Sequence, residues 1–188
     1  MLELWLIRHG ETDWNREGRI QGLSDNALND LGRAQARALG ARLAATSFDR
    51  VYSSDLSRAL ETARLVFPGR TPVLDVRLRE VAGGVLEGKT AAEMSEDEVR
   101  VKELRASGRT DVRPDGGESY QDVMVRVREW LADLPSQGRV ACVTHGGVIH
   151  TALKIVLGHG DDWSGAPIIA ITNASVSVVS MGARTVVE

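Results

Sequence analysis

Two short stretches carry the residues best suited to chemistry. Leu6-Ile7 runs into Arg8-His9-Gly10, and Val143-Thr144 runs into His145-Gly146-Gly147. In each, an apolar run stops at a histidine beside glycine, whose missing side chain lets a ligand come close to the backbone. If both runs are strands of an open α/β sheet, the histidines stand at carboxyl ends of strands, where such sheets collect ligands. A helix that follows would offer free amides to an anion. Two imidazoles would then face one another with the Arg8 guanidinium next to them. Histidine is also the commonest metal ligand, but the four histidines lack a Cys pair, a His-x-x-x-His spacing or a dense carboxylate cluster to complete a zinc or two-metal site. His150 and His159 read as structural residues, so no metal is expected.

The remaining pattern indicates what must position these groups. Leu2 to Ile7, Arg50 to Ser53, Pro72 to Val76 and Arg139 to Thr144 read as strands, and Leu31 to Ala45, Leu56 to Phe67, Ser119 to Leu134 and Gly147 to Leu157 as helices. Asn29 or Asp30 is placed to cap the first helix and Asp55 the second. Ile168 to Ile171 and Ser175 to Ser180 look like closing strands. Between Gly83 and Gly117 the chain is polar and glycine-punctuated, with a helix near Ala91 to Ala106, and reads as a mobile cover. Strand and helix in alternation predict one α/β domain over 1–188 with helices on both sheet faces.

Composition narrows the partners. The chain has 188 residues, 43% hydrophobic and 26% charged, which suits a folded soluble domain. A net charge of -3 leaves no overall basic field for nucleic acid or anionic lipid. No stretch approaches the length of a membrane span and the N-terminus lacks the layout of a signal peptide. The lone Cys142, inside an apolar run, reads as a buried structural thiol suited to a reducing compartment. A cytoplasmic location is therefore expected. Four Trp and the segment Val176 to Val179 could supply an edge or surface for a homodimer.

RHGETDWN at Arg8 to Asn15 resembles the signature of the histidine phosphatase superfamily, also called the phosphoglycerate mutase-like family. QGLSDNALNDLG (21–32), SSDLSRALETA (53–63), LREVAGGVLEG (78–88), PDGGES (114–119) and VTHGGVI (143–149) follow in that family's order. The resemblance spans nearly the whole chain. It implies a three-layer α/β/α sandwich with a mixed, mostly parallel sheet of about six strands, and a phosphatase acting on a small phosphorylated metabolite without cofactor. One departure falls at Gly83-Gly84 and Leu86-Glu87-Gly88, where relatives commonly carry Phe-Gly and Trp-Glu-Gly.

The resemblance assigns roles that the residue chemistry supports. His9 attacks phosphorus through a neutral ring nitrogen, giving a phosphohistidine. Arg8 and Arg58 hold the phosphoryl oxygens with planar, permanently charged forks. Glu80 protonates the leaving oxygen and then deprotonates water. His145 is expected to be a cationic donor to the phosphoryl group, and Asn15, Gln21, Gly22 and Gly146 to contact substrate. Glu118 and Ser119 read as helix-capping residues. Arg100, Lys102, Arg105, Arg109 and Arg113 could bind a second anionic group or form a solvated face. Phosphosugars, phosphoserine, α-ribazole phosphate and nucleotide-like monoesters are candidate substrates. Two alternatives stay open. One is a cofactor-dependent phosphoglycerate mutase, although mutase relatives usually carry a longer insertion before the PDGGES block. The other is a phospholigand-binding module without turnover.

Overall fold

In the computed structural model, which describes residues 1–163, 169–182 and the backbone of 185–187, β1 (Leu2–Arg8) is the strand on which the sheet is centred. Successive side chains of a strand point to opposite faces. Leu2, Leu4 and Leu6 accordingly enter one core and Ile7 the other, with Trp5 packed at the margin of the second. β4 (Gly138–Thr144) divides in the same way, Val140 and Cys142 against Ala141 and Val143. The two strands pair in parallel from Leu2 opposite Gly138 to Arg8 opposite Thr144. His9 and His145 therefore leave the sheet side by side.

β2 (Arg50–Ser53) and β3 (Val73–Leu74) extend the parallel part on one side. β5 (Val176–Met181) lies antiparallel to β1 on the other, followed by β6 (Thr185–Val187). The order is β3-β2-β4-β1-β5-β6, the mixed, mostly parallel sheet of about six strands that the resemblance implies. α2 (Asp30–Leu43) and α3 (Ser57–Val66) cover one face; α5 (Tyr120–Ala132) and α6 (Gly146–Val156) cover the other. Each helix buries a stripe at helical spacing, such as Ala36, Leu39 and Leu43 on α2 or Val123, Val127 and Trp130 on α5. The Asn29 side chain caps α2 by accepting from Gly32 N at 2.8 Å, and Ser119 caps α5 in a reciprocal pair with Asp122.

Gly10 and Gly32 bring α2 against the loop that carries His9. A Cβ on Gly10 would stand 2.4 Å from the Gly32 carbonyl oxygen, and one on Gly32 would stand 2.1 Å from that of Glu11. Neither position tolerates a side chain without backbone movement. No helix among the described residues is long and apolar enough to cross a membrane.

Several local expectations are corrected. Asp55 does not cap α3; its carboxylate pairs with Arg79, and Asp25, brought in from the preceding loop, accepts from Ser57 N at 2.8 Å. The helix expected over 91–106 is divided into a single turn at Ala91–Glu93 and α4 (Glu96–Ala106), because Ser95 starts a new capping box with Glu98. A short helix, α1 (Asp13–Glu17), was not anticipated; Thr12 and Asn15 cap it reciprocally. The closing strand expected at Ile168 to Ile171 is not formed at 169–171, and Ile168 lies outside the described residues. There the Ile171 carbonyl accepts from Arg8 Nη1 at 2.7 Å instead of a sheet neighbour. Val176 to Val179 offers no sheet edge, since β5 is held between β1 and β6.

Candidate active site

A cleft of about 530 Å³ opens at the carboxyl ends of the parallel strands, with Arg8, His9, Arg58 and Glu80 on its wall. That volume lies in the range of small-molecule sites. His9 is 2% exposed and held by its main chain. Its N donates to Thr144 O at 3.0 Å, and its own carbonyl accepts from Asn173 Nδ2 at 3.1 Å and Ala174 N at 3.2 Å. Nδ1 lies 2.7 Å from Gly10 O. A carbonyl can only accept, so Nδ1 carries the proton and Nε2 keeps a lone pair. Burial first, and the Arg58 charge second, hold the His9 pKa well below the ordinary imidazole value of 6.5. The ring is neutral near pH 7.

Arg58, on α3, is fully buried, and all of its hydrogen bonds go to uncharged acceptors. Nη2 donates to Gly22 O at 2.8 Å, Nη1 to Ser24 O at 2.8 Å, and Nε to His145 Nδ1 at 3.2 Å. Arg8 donates through Nη1 to Ile171 O, while its buried Nε has no hydrogen-bond partner among the described residues. Burial lowers both guanidinium pKa values, with the Glu80 charge opposing it. Neither forms an ion pair with a carboxylate among the described residues, so the two positive charges are left for an anion in the cleft.

His145 departs from expectation. It is buried behind Arg58 and does not reach the cleft wall; its Nε2 lies 2.9 Å from Ser54 Oγ. Because Nδ1 accepts from a guanidinium, Nε2 must carry the proton and donate to Ser54. Burial, then the Arg58 charge, place its pKa well below 6.5. The cationic donor expected from the charge of the phosphoryl group is here a neutral ring that fixes a cation, since a guanidinium at hydrogen-bond distance disfavours a second positive charge.

Glu80, half-buried, accepts from Val81 N at 2.9 Å and from Gly147 N in the first turn of α6 at 3.1 and 3.3 Å. Its loop is anchored by Arg126, which donates to the carbonyls of Arg77 and Glu80. Glu118 pairs with Arg126 and accepts from Ala82 N at 2.9 Å, so it braces the Glu80 loop, while Ser119 alone caps α5. Asn15, Gln21 and Gly22 line the cleft; Thr12 Oγ1 donates to Gln21 Oε1 and Asn173 Nδ2 to Asn15 Oδ1. Gly146 does not line it. A Cβ there would lie 3.6 Å from Arg8 Nε, and Gly147 is the glycine on the wall.

Glu87 was missed by sequence reasoning, although LEG at 86–88 belongs to a matched block. Its Oε1 accepts from Leu23 N and Gly83 N at 2.9 Å each, and its Oε2 from Ser24 N at 2.9 Å and Ser24 Oγ at 2.6 Å. These bonds fix the two carbonyls that hold Arg58. Gly22, at φ +51°, must be glycine here, since a Cβ would stand 2.0 Å from Glu87 Oε1. The far wall was also only partly anticipated. Of the five cations between 100 and 113, Lys102 and Arg105 reach the cleft; Arg109 pairs with Asp111, Arg113 with Asp122, and Arg100 is off the wall. His150, read as structural, lies on the wall against Trp163 with ring centroids 5.3 Å apart, whereas His159 is off it.

A profile of the histidine phosphatase superfamily (branch 1) matches residues 4–187. The chain is 39% identical over 163 residues to the protein named "Probable phosphoglycerate mutase GpmB" of Enterobacter sp. (strain 638), covering 84% of this chain and 76% of that one. Among solved structures it resembles Bacillus stearothermophilus YhfR, with a TM-score of 0.87 and 34% identity over 99% of this chain and 94% of that one. It likewise resembles a mycobacterial glucosyl-3-phosphoglycerate phosphatase in complex with VO3, with a TM-score of 0.84 and 34% identity over 95% and 92% of the two chains.

Proposed function

Because the chain belongs to the histidine phosphatase superfamily and is an enzyme, we propose that it hydrolyses a small phosphate monoester through a phosphohistidine on His9, without a metal ion. The observation that carries this reading is the bond from His9 Nδ1 to Gly10 O, which leaves Nε2 as a lone pair on a wall shared with Arg8, Arg58 and Glu80.

In the first step the Nε2 lone pair attacks phosphorus and the ester P–O bond breaks. The departing oxygen takes a proton from the Glu80 carboxyl. The imidazole becomes cationic, and its Nδ1–H bond to Gly10 O strengthens as that charge appears. Arg8 and Arg58 stabilise charge spread over the phosphoryl oxygens from donors already in place. In the second step Glu80, now a carboxylate, takes a proton from water as its oxygen attacks phosphorus. The P–N bond breaks and His9 returns to its neutral form. His145 and Ser54 orient Arg58 throughout.

Brief exposure to ³²P-labelled substrate followed by an alkaline quench tests the intermediate. A base-stable, acid-labile label that disappears in His9→Ala is expected, with turnover unchanged by EDTA. Label on serine, or activity lost to EDTA and restored by Mg²⁺ or Zn²⁺, would overturn the proposal. The match to the GpmB protein favours a second reading, phosphoglycerate mutase. Against it, the stretch between Glu80 and Pro114 holds only α4 and single helical turns. Interconversion of 3- and 2-phosphoglycerate with a bisphosphoglycerate primer, faster than phosphate release, would decide for the mutase.

A further inference from the structure

The turn from Ile171 to Ser175 does not line the cleft, yet it is bonded to Arg8, His9 and Asn15, which do. Ile171 O accepts from Arg8 Nη1 at 2.7 Å and Ser175 O from Arg8 N at 3.1 Å. Ala174 N donates to the carbonyls of Arg8 and His9 at 3.1 and 3.2 Å. The turn closes on itself through a bond from Ser175 N to Thr172 O at 3.1 Å. At its third position Ala174 has φ +55°, and among the described residues it is the only one other than glycine with positive φ. That conformation is unfavourable for any side chain with a Cβ and persists where surrounding bonds fix it.

The Asn173 side chain reaches further than the main chain of the turn. Its Nδ2 donates to His9 O and to Asn15 Oδ1, each at 3.1 Å. One proton of the amide therefore holds the nucleophile's own carbonyl, and the other holds a carboxamide on the cleft wall. A carbonyl only accepts, so the Asn173 amide can face only one way. Asn15 is oriented in turn, because its Oδ1 also accepts from Thr12 N at 3.2 Å and a main-chain N–H only donates. With that oxygen occupied by donors, Asn15 Nδ2 has no hydrogen-bond partner among the described residues.

Resting on the phosphatase reading, we propose that Asn173 is a positioning residue for phosphoryl transfer. It fixes the Asn15 carboxamide against His9, so that Asn15 Nδ2 donates to a phosphoryl oxygen while His9 Nε2 faces phosphorus. Asn173 itself touches neither the substrate nor the reacting atoms. A donor held in place before charge develops needs no reorganisation during the step. Without Asn173 the Asn15 amide keeps only its tie to Thr12, and the link between the attacking ring and the donor is cut.

Vanadate, a mimic of the phosphoryl group, tests this by calorimetry on the parent, Asn173→Ala, Asn15→Ala and the double variant. In the parent background Asn173→Ala should raise the vanadate dissociation constant about 5- to 10-fold. In the Asn15→Ala background the same substitution should change it less than about twofold, because the group it holds is gone. Asn173→Asp keeps the shape but turns acceptors towards two acceptors, and should lose at least as much as Asn173→Ala. Additive losses would overturn the positioning role, as would parent-like affinity in Asn173→Asp. Should Asn173→Ala not fold, the ¹⁵N-labelled parent decides. Its Asn173 side-chain amide protons should be protected from exchange without vanadate, and those of Asn15 should shift and become protected only when vanadate is added. An Asn15 amide indifferent to vanadate would overturn the role. A parent that binds no vanadate and hydrolyses no phosphate monoester would bring down the phosphatase reading and this role with it, whereas additive losses in a parent that binds vanadate would bring down this role alone.

Discussion

Nδ1 of His145 accepts a hydrogen bond from Nε of Arg58 at 3.2 Å. One ring nitrogen is thereby committed as an acceptor, and an imidazole so placed cannot be an imidazolium. With His9, 5.1 Å away between ring centroids, it makes a buried pair of neutral histidines beside the Arg58 guanidinium.

This arrangement sets the direction of a pH dependence. Both histidines have folded-state pKa values lowered by burial and then by the Arg58 charge, while in the unfolded chain they titrate near 6.5. As the pH falls below about 6.5 the unfolded chain takes up protons that the folded one refuses, so stability drops. Above that value the contribution is fully present. The urea midpoint should therefore be lower at pH 5.5 than at pH 7.5, and His9→Asn/His145→Asn should flatten the difference. A midpoint unchanged by acid in the parent would contradict the neutral pair.

Glu80 should matter in proportion to how badly the leaving group needs a proton. On an alkyl phosphate Glu80→Gln is expected to lose about 10²- to 10⁴-fold in rate. On p-nitrophenyl phosphate, phosphorylation of His9 should suffer far less, and the variant should then stall, releasing a burst of nitrophenol followed by slow turnover. Equal losses on both substrates without a burst would mean that the carboxylate only positions the pocket.

Glu87 should act through Arg58. Replacement by Gln turns one acceptor oxygen into a donor facing the amides and hydroxyl of Leu23, Gly83 and Ser24, and so frees the carbonyls that hold the guanidinium. The dissociation constant for vanadate should rise about tenfold while the phosphohistidine still forms. Unchanged vanadate affinity would reduce Glu87 to a loop staple.

Gly10→Ala should be damaging without touching any charged group. The added methyl meets the Gly32 backbone at 2.4 Å, and relief by backbone movement costs about 1–3 kcal/mol. Chemical denaturation would register the loss, and kcat should fall because the loop that shifts carries His9. A variant as stable as the parent would show that α2 can retreat freely.

What could be read in advance was whatever local pattern determines. LELWLI and RVACVT are apolar runs that end at His9 and His145, and their pairing follows from the fold class they imply. Long-range partners escaped. Asp55 has the residue type and place of a helix cap, but Arg79 lies 24 positions away and takes it, leaving the role to Asp25. The apolar stretch Ile168 to Ile171 reads as a strand because hydrophobicity alone does not reveal that the Ile171 carbonyl is needed by Arg8. The charge on His145 was misjudged for the same reason. Its protonation depends on Arg58, 87 positions away, and chain spacing does not encode which nitrogen faces it. Glu87 was visible as a residue but not as a brace, since its partners lie on a loop more than 60 positions earlier.

The in-register pairing of β1 with β4 also bears on how such an enzyme changes over time. His9, Arg8 and Arg58 hang from central strands and α3, whereas Lys102 and Arg105 hang from α4, a helix with no buried residue. Mutations in that outer helix can therefore accumulate with little loss of stability, and the bond-breaking end is insulated from them. Substrate range and chemistry are free to evolve at different rates, and exchange of the segment between Lys89 and Arg113 with that of a relative should carry over the relative's substrate preference while the ability to phosphorylate His9 stays behind.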